Sequence, residues 1–245
     1  MNSILLTGAS GKIGANIIKS FYNSHRLICV DKNRSSLIKL KKKYKKIEIF
    51  NLDLTKEKEV NNFLKKINKK QKSIDILINN AGLIYSNPII KLSKKGKFIA
   101  HSFNEWKKIL DINLNSLFLI SSKVIQNWCN QRNKGLIINI SSISAKGNVG
   151  QSAYSSAKSS IDILTKIWSK ELSLFDIRVA GIAPGFFNTL STKEALSINQ
   201  INHIKKNTPA RRLGNIKELI SAIKFIISNK FFNGKTIPID GGLYL

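Results

Sequence analysis

At 245 residues, 42% of them hydrophobic, the chain has enough apolar side chains to bury one large core, and a single domain over residues 1–245 is expected. No apolar run approaches the ~18 residues of a membrane helix. The Ile4-Leu5-Leu6 run breaks at Thr7-Gly8, too soon for a signal peptide, and Cys29 and Cys129 lack the spacing of a metal site or disulfide framework, so a cytoplasmic protein without a metal is expected. The net charge of +27 raises the question of nucleic acid, but 35 of the 41 basic residues are lysines spread along a chain rich in Asn and Ile, as A/T-rich codons produce, and no nucleic-acid partner is expected. His25, His101 and His203 are isolated and receive no role.

In chain order, short β-rich runs alternate with longer helical patterns. Strands are expected over 3–7, 26–31, 47–51, 74–79, 135–141, 177–183 and 236–239, and helices over 13–22, 34–43, 56–69, 104–130, 152–175 and 216–227. This alternation reads as an α/β fold, a Rossmann-type doubly wound parallel sheet of about seven strands covered by helices on both faces. Ligands of such sheets bind in the crevice beyond the carboxyl ends of the strands. The basic run at 39–46 falls on a solvated helix face. Two stretches, 83–103 and 186–208, fit no regular element, and both follow strands at the crevice end.

The first strand runs directly into Thr7-Gly8-Ala9-Ser10-Gly11-Lys12-Ile13-Gly14, which opens the first helix. Glycines there permit a tight turn and let backbone approach a pyrophosphate held at the helix N-terminus. Asp31 ends the second strand seventeen positions beyond Gly14, where a carboxylate accepts from adenosine ribose hydroxyls and repels a 2′-phosphate, so NAD is expected over NADP. Tyr154 and Lys158 stand at i and i+4 on one helix face, so the ammonium can approach the phenol and lower its pKa for proton transfer. The strand over 135–141 delivers Ser141 and Ser142 to the same end of the sheet, where a hydroxyl can stabilise charge developing on a substrate oxygen.

With these residues assembled, the chain resembles the short-chain dehydrogenase/reductase family nearly end to end. The resemblance rests on Gly8, Gly11 and Gly14, Asp31, Asp53 within Asn51-Leu52-Asp53-Leu54-Thr55, Asn79-Asn80-Ala81-Gly82, Asn113, Ser142, Tyr154, Lys158, Pro184-Gly185 with Thr189, and Asp240-Gly241-Gly242. It implies an enzyme that interconverts a secondary alcohol and a carbonyl by hydride transfer with NAD(H). Lys12 and Ile13 would join the phosphate loop, Asp53 would bind the adenine amino group beside Leu54, and Asn80, Ala81 and Gly82 would line the adenosine ribose. Pro184, Gly185, Phe187 and Thr189 would complete the nicotinamide side, with Thr189 holding the carboxamide. Lys158 would hold the nicotinamide ribose and lower the pKa of Tyr154, the proton carrier, while Asn113 would anchor a water leading to Lys158. The resemblance also implies a homotetramer built on the helices over 104–130 and 152–175.

Three departures bear on these expectations. The glycines run T-G-x-x-G-x-x-G, with Lys12 where the short branch of the family has its middle glycine. Ser142 precedes Tyr154 by twelve residues instead of the usual thirteen, which keeps Ser141 as the alternative catalytic serine. The 83–103 connection is longer than in most members, and it and the 229–235 ending resemble those of 3-hydroxyacyl-CoA dehydrogenase type 2, with loops also like those of 3-oxoacyl carrier-protein reductases. Phe186, Phe187 and Leu190 would offer apolar surface to an acyl chain, and Lys91, Lys94, Lys95, Lys97, Lys193, Lys205 and Lys206 would surround it with positive charge. A 3-oxoacyl or 3-hydroxyacyl thioester is therefore favoured as substrate, with a sugar, polyol or steroid, or loss of catalysis with retained NAD binding, as alternatives.

Overall fold

A computed structural model describes residues 2–69, 73–189, 192 and 196–245. Seven strands form one parallel sheet: β1 (Ser3–Thr7), β2 (Arg26–Asp31), β3 (Glu48–Asn51), β4 (Ile76–Asn79), β7 (Gly135–Ile140), β8 (Ile177–Pro184) and β9 (Thr236–Ile239). They lie in the order β3-β2-β1-β4-β7-β8-β9. Every residue of β1 is buried, as expected for a strand covered on both faces. Chain direction across the sheet reverses between β1 and β4, so the ligand crevice opens there, above the ends of both strands.

One face of the sheet is covered by α1 (Lys12–Phe21), α2 (Arg34–Lys43) and α8 (Ile216–Ser228), through Ile17, Leu37, Leu219 and Ile223 among others. The other carries α3 (Glu57–Lys69), α5 (Ser116–Gln131) and α6 (Ser152–Glu171), through Phe63, Leu117, Trp128 and Ile161. Asn79 and Asn139, at the ends of the adjacent strands β4 and β7, extend this packing with a buried polar ladder. Asn79 Nδ2 donates to Ser121 Oγ of α5 at 2.8 Å and to Asn139 Oδ1 at 2.9 Å, and Asn139 Nδ2 donates to Thr165 Oγ1 of α6 at 2.9 Å.

Three expectations are corrected. The helix expected over 104–130 is α4 (Phe103–Leu110), a π-helical turn at Asp111–Asn115, and then α5. The wide turn buries Asn113, whose Nδ2 donates to the carbonyls of Ile109 at 3.0 Å and Leu83 at 3.1 Å. The 83–103 stretch holds an antiparallel hairpin, β5 (Ile90–Leu92) and β6 (Phe98–Ala100), invisible to a search for buried strands because all six residues are exposed. The 186–208 stretch holds α7 (Ile198–Asn207), started by a capping box in which Ser197 and Gln200 exchange side-chain and backbone bonds. Leu190 and Lys193 lie outside the described residues. The 39–46 lysines are exposed, on and just after α2. No helix among the described residues is long and apolar enough to cross a membrane.

Candidate active site

The turn from β1 into α1 is built by backbone contacts that admit no side chain. Gly8 has φ +62°, and a Cβ there would lie 2.7 Å from the Ala81 Cα; one at Gly14 would lie 2.4 Å from the Gly8 carbonyl oxygen. Gly11 occupies the N-cap of α1 without a side-chain cap, and no acidic residue stands in the first turn, so the helix presents its free N–H groups to an anion. Lys12, in place of a glycine, is the exposed first residue of the helix, where its side chain leaves the turn, and Ile13 packs on the core beneath.

Asn80 ties this loop to the end of β4. Its Nδ2 donates to the carbonyls of Thr7 at 3.0 Å and Gly8 at 2.9 Å, while the Thr7 hydroxyl accepts from the N–H groups of Asn80 and Ala81, both at 3.0 Å. At the end of β2, Asp31 Oδ2 accepts from Ser10 N at 2.9 Å and Ser10 Oγ at 2.7 Å, and Oδ1 accepts from Asn33 N at 2.9 Å. The carboxylate is thus oriented toward the phosphate loop with lone pairs remaining on both oxygens. Asp53 Oδ1 takes both the N–H and the hydroxyl of Thr55, at 2.9 and 2.8 Å. Burial would raise this carboxyl's pKa, but the Thr55 bonds, with Lys32 and Lys56, hold it below the usual carboxylate range. Leu54 beside it is buried in the core.

Tyr154, Lys158 and Ser142 meet at the end of β7. Ser142 caps a 3₁₀ turn, its Oγ accepting from Ser144 N at 3.1 Å, and its hydroxyl lies near enough to the Tyr154 phenol to favour the phenolate. Lys158 is 4% exposed; its Nζ donates to the Ile140 carbonyl at 2.8 Å and lies 5.7 Å from the Tyr154 ring centre. Burial brings its pKa down to about 8, against the attraction of Asp162. Asn113 and Gly82 close this corner: a Cβ on Gly82 would lie 2.8 Å from Asn113 Oδ1 and 3.6 Å from Lys158 Nζ, and Asn113 Oδ1 accepts from Leu83 N at 3.0 Å.

Two expectations need correction here. Burial, opposed only by the Ser142 hydroxyl, pushes the Tyr154 phenol above its ordinary pKa, so the expected lowering by Lys158 is not the governing effect. Phe187 is not an open acyl-binding surface: it is buried in the core, its ring against Gly214, and its main chain bridges to the same residue. Pro184 and Gly185 end β8 beside Asp240, where a Cβ on Gly185 would meet the Asp240 Cα at 2.8 Å. Thr189 Oγ1 is 2.9 Å from Thr192 Oγ1 and accepts from Thr192 N at 3.2 Å.

The structure also adds residues that were not singled out. Ser10 holds Asp31, Tyr85 packs against the cluster of Ile109, Ala153 and Tyr154, and Asn87 N donates to the Gly150 carbonyl at 2.6 Å, tying the hairpin's root to the loop before Tyr154. The i+4 spacing of Asp162 from Lys158 was a usable signal; for Tyr85 there was none, since its contact depends on how the 83–103 connection folds.

The short chain dehydrogenase family profile matches residues 2–199. A 3-oxoacyl-[acyl-carrier-protein] reductase FabG from Buchnera aphidicola subsp. Baizongia pistaciae is 33% identical over 98% of this chain and 96% of its own length. The corresponding reductase from Thermotoga maritima is 30% identical over 98% and 97%. Among solved structures, a 4-hydroxyisoleucine dehydrogenase complexed with NADH and succinate superposes with a TM-score of 0.85 at 31% identity, covering 98% of both chains. A short chain dehydrogenase from Leptospira borgpetersenii with bound NAD+ superposes with a TM-score of 0.86 at 27% identity, covering 100% of this chain and 93% of that one. The glycine turn, the Tyr154–Lys158 pair and this end-to-end similarity have one meaning: the chain belongs to the short-chain dehydrogenase family of oxidoreductases, which interconvert alcohols and carbonyls.

Proposed function

We propose that this protein transfers a hydride between NAD(H), in preference to NADP(H), and the 3-position of a 3-oxoacyl or 3-hydroxyacyl thioester. The observation carrying the reaction is the convergence of the Tyr154 phenol, the Ser142 hydroxyl and the buried Lys158 beside the glycine turn. The residues present fit a dinucleotide: α1 starts at Gly11 with no side-chain cap and no acidic residue in its first turn, which leaves its N–H groups for a pyrophosphate, and the Asp31 carboxylate is held beside that loop by Ser10. Gly8, Gly11, Lys12, Ile13 and Gly14 would hold the pyrophosphate, Asp31, Asn80, Ala81 and Gly82 the adenosine ribose, and Asp53 with Leu54 the adenine. Pro184, Gly185, Phe187 through its backbone, and Thr189 would face the nicotinamide end. When bound, the nicotinamide ring supplies or accepts the hydride.

The chain's own groups then manage the proton. Burial keeps Tyr154 protonated at neutral pH, so in reduction it can donate to the carbonyl oxygen as negative charge grows there, and Ser142 donates a second hydrogen bond to the same oxygen. Lys158 would hold the ribose and stabilise the phenolate left behind; Asn113, fixed by Ile109 and Leu83, would shape the route by which that proton returns. The carboxylate of Asp31 favours the unphosphorylated cofactor through like-charge repulsion of a 2′-phosphate.

The thioester reading is supported by the 3-oxoacyl-[acyl-carrier-protein] reductases among the relatives and by the hairpin, where exposed Ile90, Leu92 and Phe98 are interleaved with Lys91, Lys94, Lys95 and Lys97. Acetoacetyl-CoA, a short uncharged 3-oxoester and a panel of sugars, assayed by NADH absorbance across a salt series, test it. The thioester should lead in kcat/KM at low salt and lose that lead as salt rises. A sugar or the uncharged ester matching it at low salt overturns the substrate assignment, and faster turnover with NADPH overturns the cofactor preference. A homotetramer is proposed on α5 and α6, where exposed Phe118 and Ile163 line a depression of about 370 Å³.

A further inference from the structure

Behind Lys158, on the side away from Tyr154, lies a polar cluster that the reaction scheme does not use. Asp162 stands one helical turn beyond Lys158 on α6 and is partly buried against the ends of β7 and β9. Thr236 Oγ1 of β9 donates to Asp162 Oδ1 at 3.0 Å. The Ser141 hydroxyl donates to the Lys158 carbonyl at 3.2 Å, which places it beside the same turn of α6. Ser141 and Ser142 are thus divided by the alternation of the strand: Ser142 faces the phenol, and Ser141 faces this cluster.

We propose that Asp162, held by Thr236 one helical turn from Lys158, is a positioning residue whose negative charge keeps the buried Lys158 side chain protonated and so sets the upper pH limit of the enzyme. The inference rests on the role given to Lys158 above. Desolvation of an ammonium in this pocket favours the neutral amine, and Lys158 has only one side-chain-independent partner, the Ile140 carbonyl, to oppose it. Burial raises the Asp162 carboxyl above its ordinary pKa, against the bond from Thr236 and the charges of Lys158 and of Lys146 in the turn after β7, and among the described residues the charged group acting on Lys158 is Asp162. Tyr154 is the remaining titratable neighbour on α6, and its phenol titrates above the range in which Lys158 does. β9 contributes the uncharged Thr236, and the π-helical turn the uncharged Asn113.

Asp162→Asn keeps the oxygen that accepts from Thr236 and removes the charge. In the direction of carbonyl reduction, the alkaline limb of kcat should move to lower pH by on the order of one unit, while kcat and NADH affinity at pH 6, where Lys158 stays protonated, remain within about twofold of wild type. Asp162→Glu should return the limb toward its wild-type position. An Asn variant whose limb superposes on that of wild type overturns the proposal. So does one that loses activity equally at every pH, because that is the signature of a structural role. Lys158→Ala, run alongside, separates the two assignments: wild-type turnover in that variant would remove the role of Lys158 itself, whereas an inactive Lys158→Ala with an unmoved Asp162→Asn limb overturns the Asp162 inference alone.

Discussion

Tyr154 and Ser142 converge at the end of β7 but do different work, and substitution should separate them. Tyr154→Phe removes the proton carrier and leaves the glycine turn and Asp31 intact, so turnover should fall by about 10²- to 10⁴-fold with NADH binding, followed by fluorescence titration, nearly unchanged. Ser142→Ala should cost about 10²- to 10³-fold. Ser141→Ala should cost far less at neutral pH, because its hydroxyl bonds the Lys158 carbonyl and faces away from the substrate side. A larger loss at Ser141 would reverse the assignment of the two serines. Asp31→Asn should narrow the NADH preference in parallel kinetics with NADPH, since exposed Lys32 and Arg34 are then unopposed near the 2′ position.

Among the elements, the exposed hairpin and the buried helix ends respond oppositely to change. Replacing residues 88–100 by a short Gly-Ser connection removes no buried apolar side chain, so thermal stability should hold within about 1 kcal/mol. The thioester KM should rise if the hairpin forms a wall of the substrate site, and an unchanged KM would remove the hairpin from that site. Arg178 is the contrary case. Its guanidinium donates to the carbonyls of Ile226 at 3.1 Å, Asn229 at 3.0 Å and Phe232 at 2.8 Å, closing the C-terminal end of α8. Arg178→Met leaves these partly buried acceptors without their donor and should destabilise the fold by roughly 2–4 kcal/mol, read as a lowered denaturation midpoint.

At the scale of the molecule, charge and assembly remain open to direct measurement. A chain of net charge +27 carries positive potential over most of its surface. General attraction would raise the kcat/KM of every anionic substrate alike at low salt, whereas a built thioester site should favour acetoacetyl-CoA over acetyl phosphate or a sugar phosphate even at 0.5 M salt. Phe118→Asp, on the exposed face of α5, should convert the proposed tetramer to smaller species in light scattering without disturbing Asn113, Tyr154 and Lys158, which are buried while Phe118 is exposed. An unaltered mass would move the interface elsewhere.

The main sheet, the glycine turn and the Tyr154–Lys158 pair were legible in the sequence because each follows from local periodicity: β-rich runs, glycines at a strand-to-helix junction, and i, i+4 spacing on a helix. The Ser197 and Gln200 spacing carries the capping signal of α7 as well, within a stretch whose polarity masks the helix. Other features were decided only by tertiary packing. The π-helical turn that buries Asn113 depends on backbone contacts with Leu83, thirty residues earlier. Phe187 looks like open apolar surface in sequence and becomes core because Gly214 leaves room for its ring. The direction of the Tyr154 pKa shift, and the placing of Asp162 behind Lys158, depend on how far α6 buries its inner face against β7 and β9, since desolvation acts through surroundings that spacing along one chain does not contain.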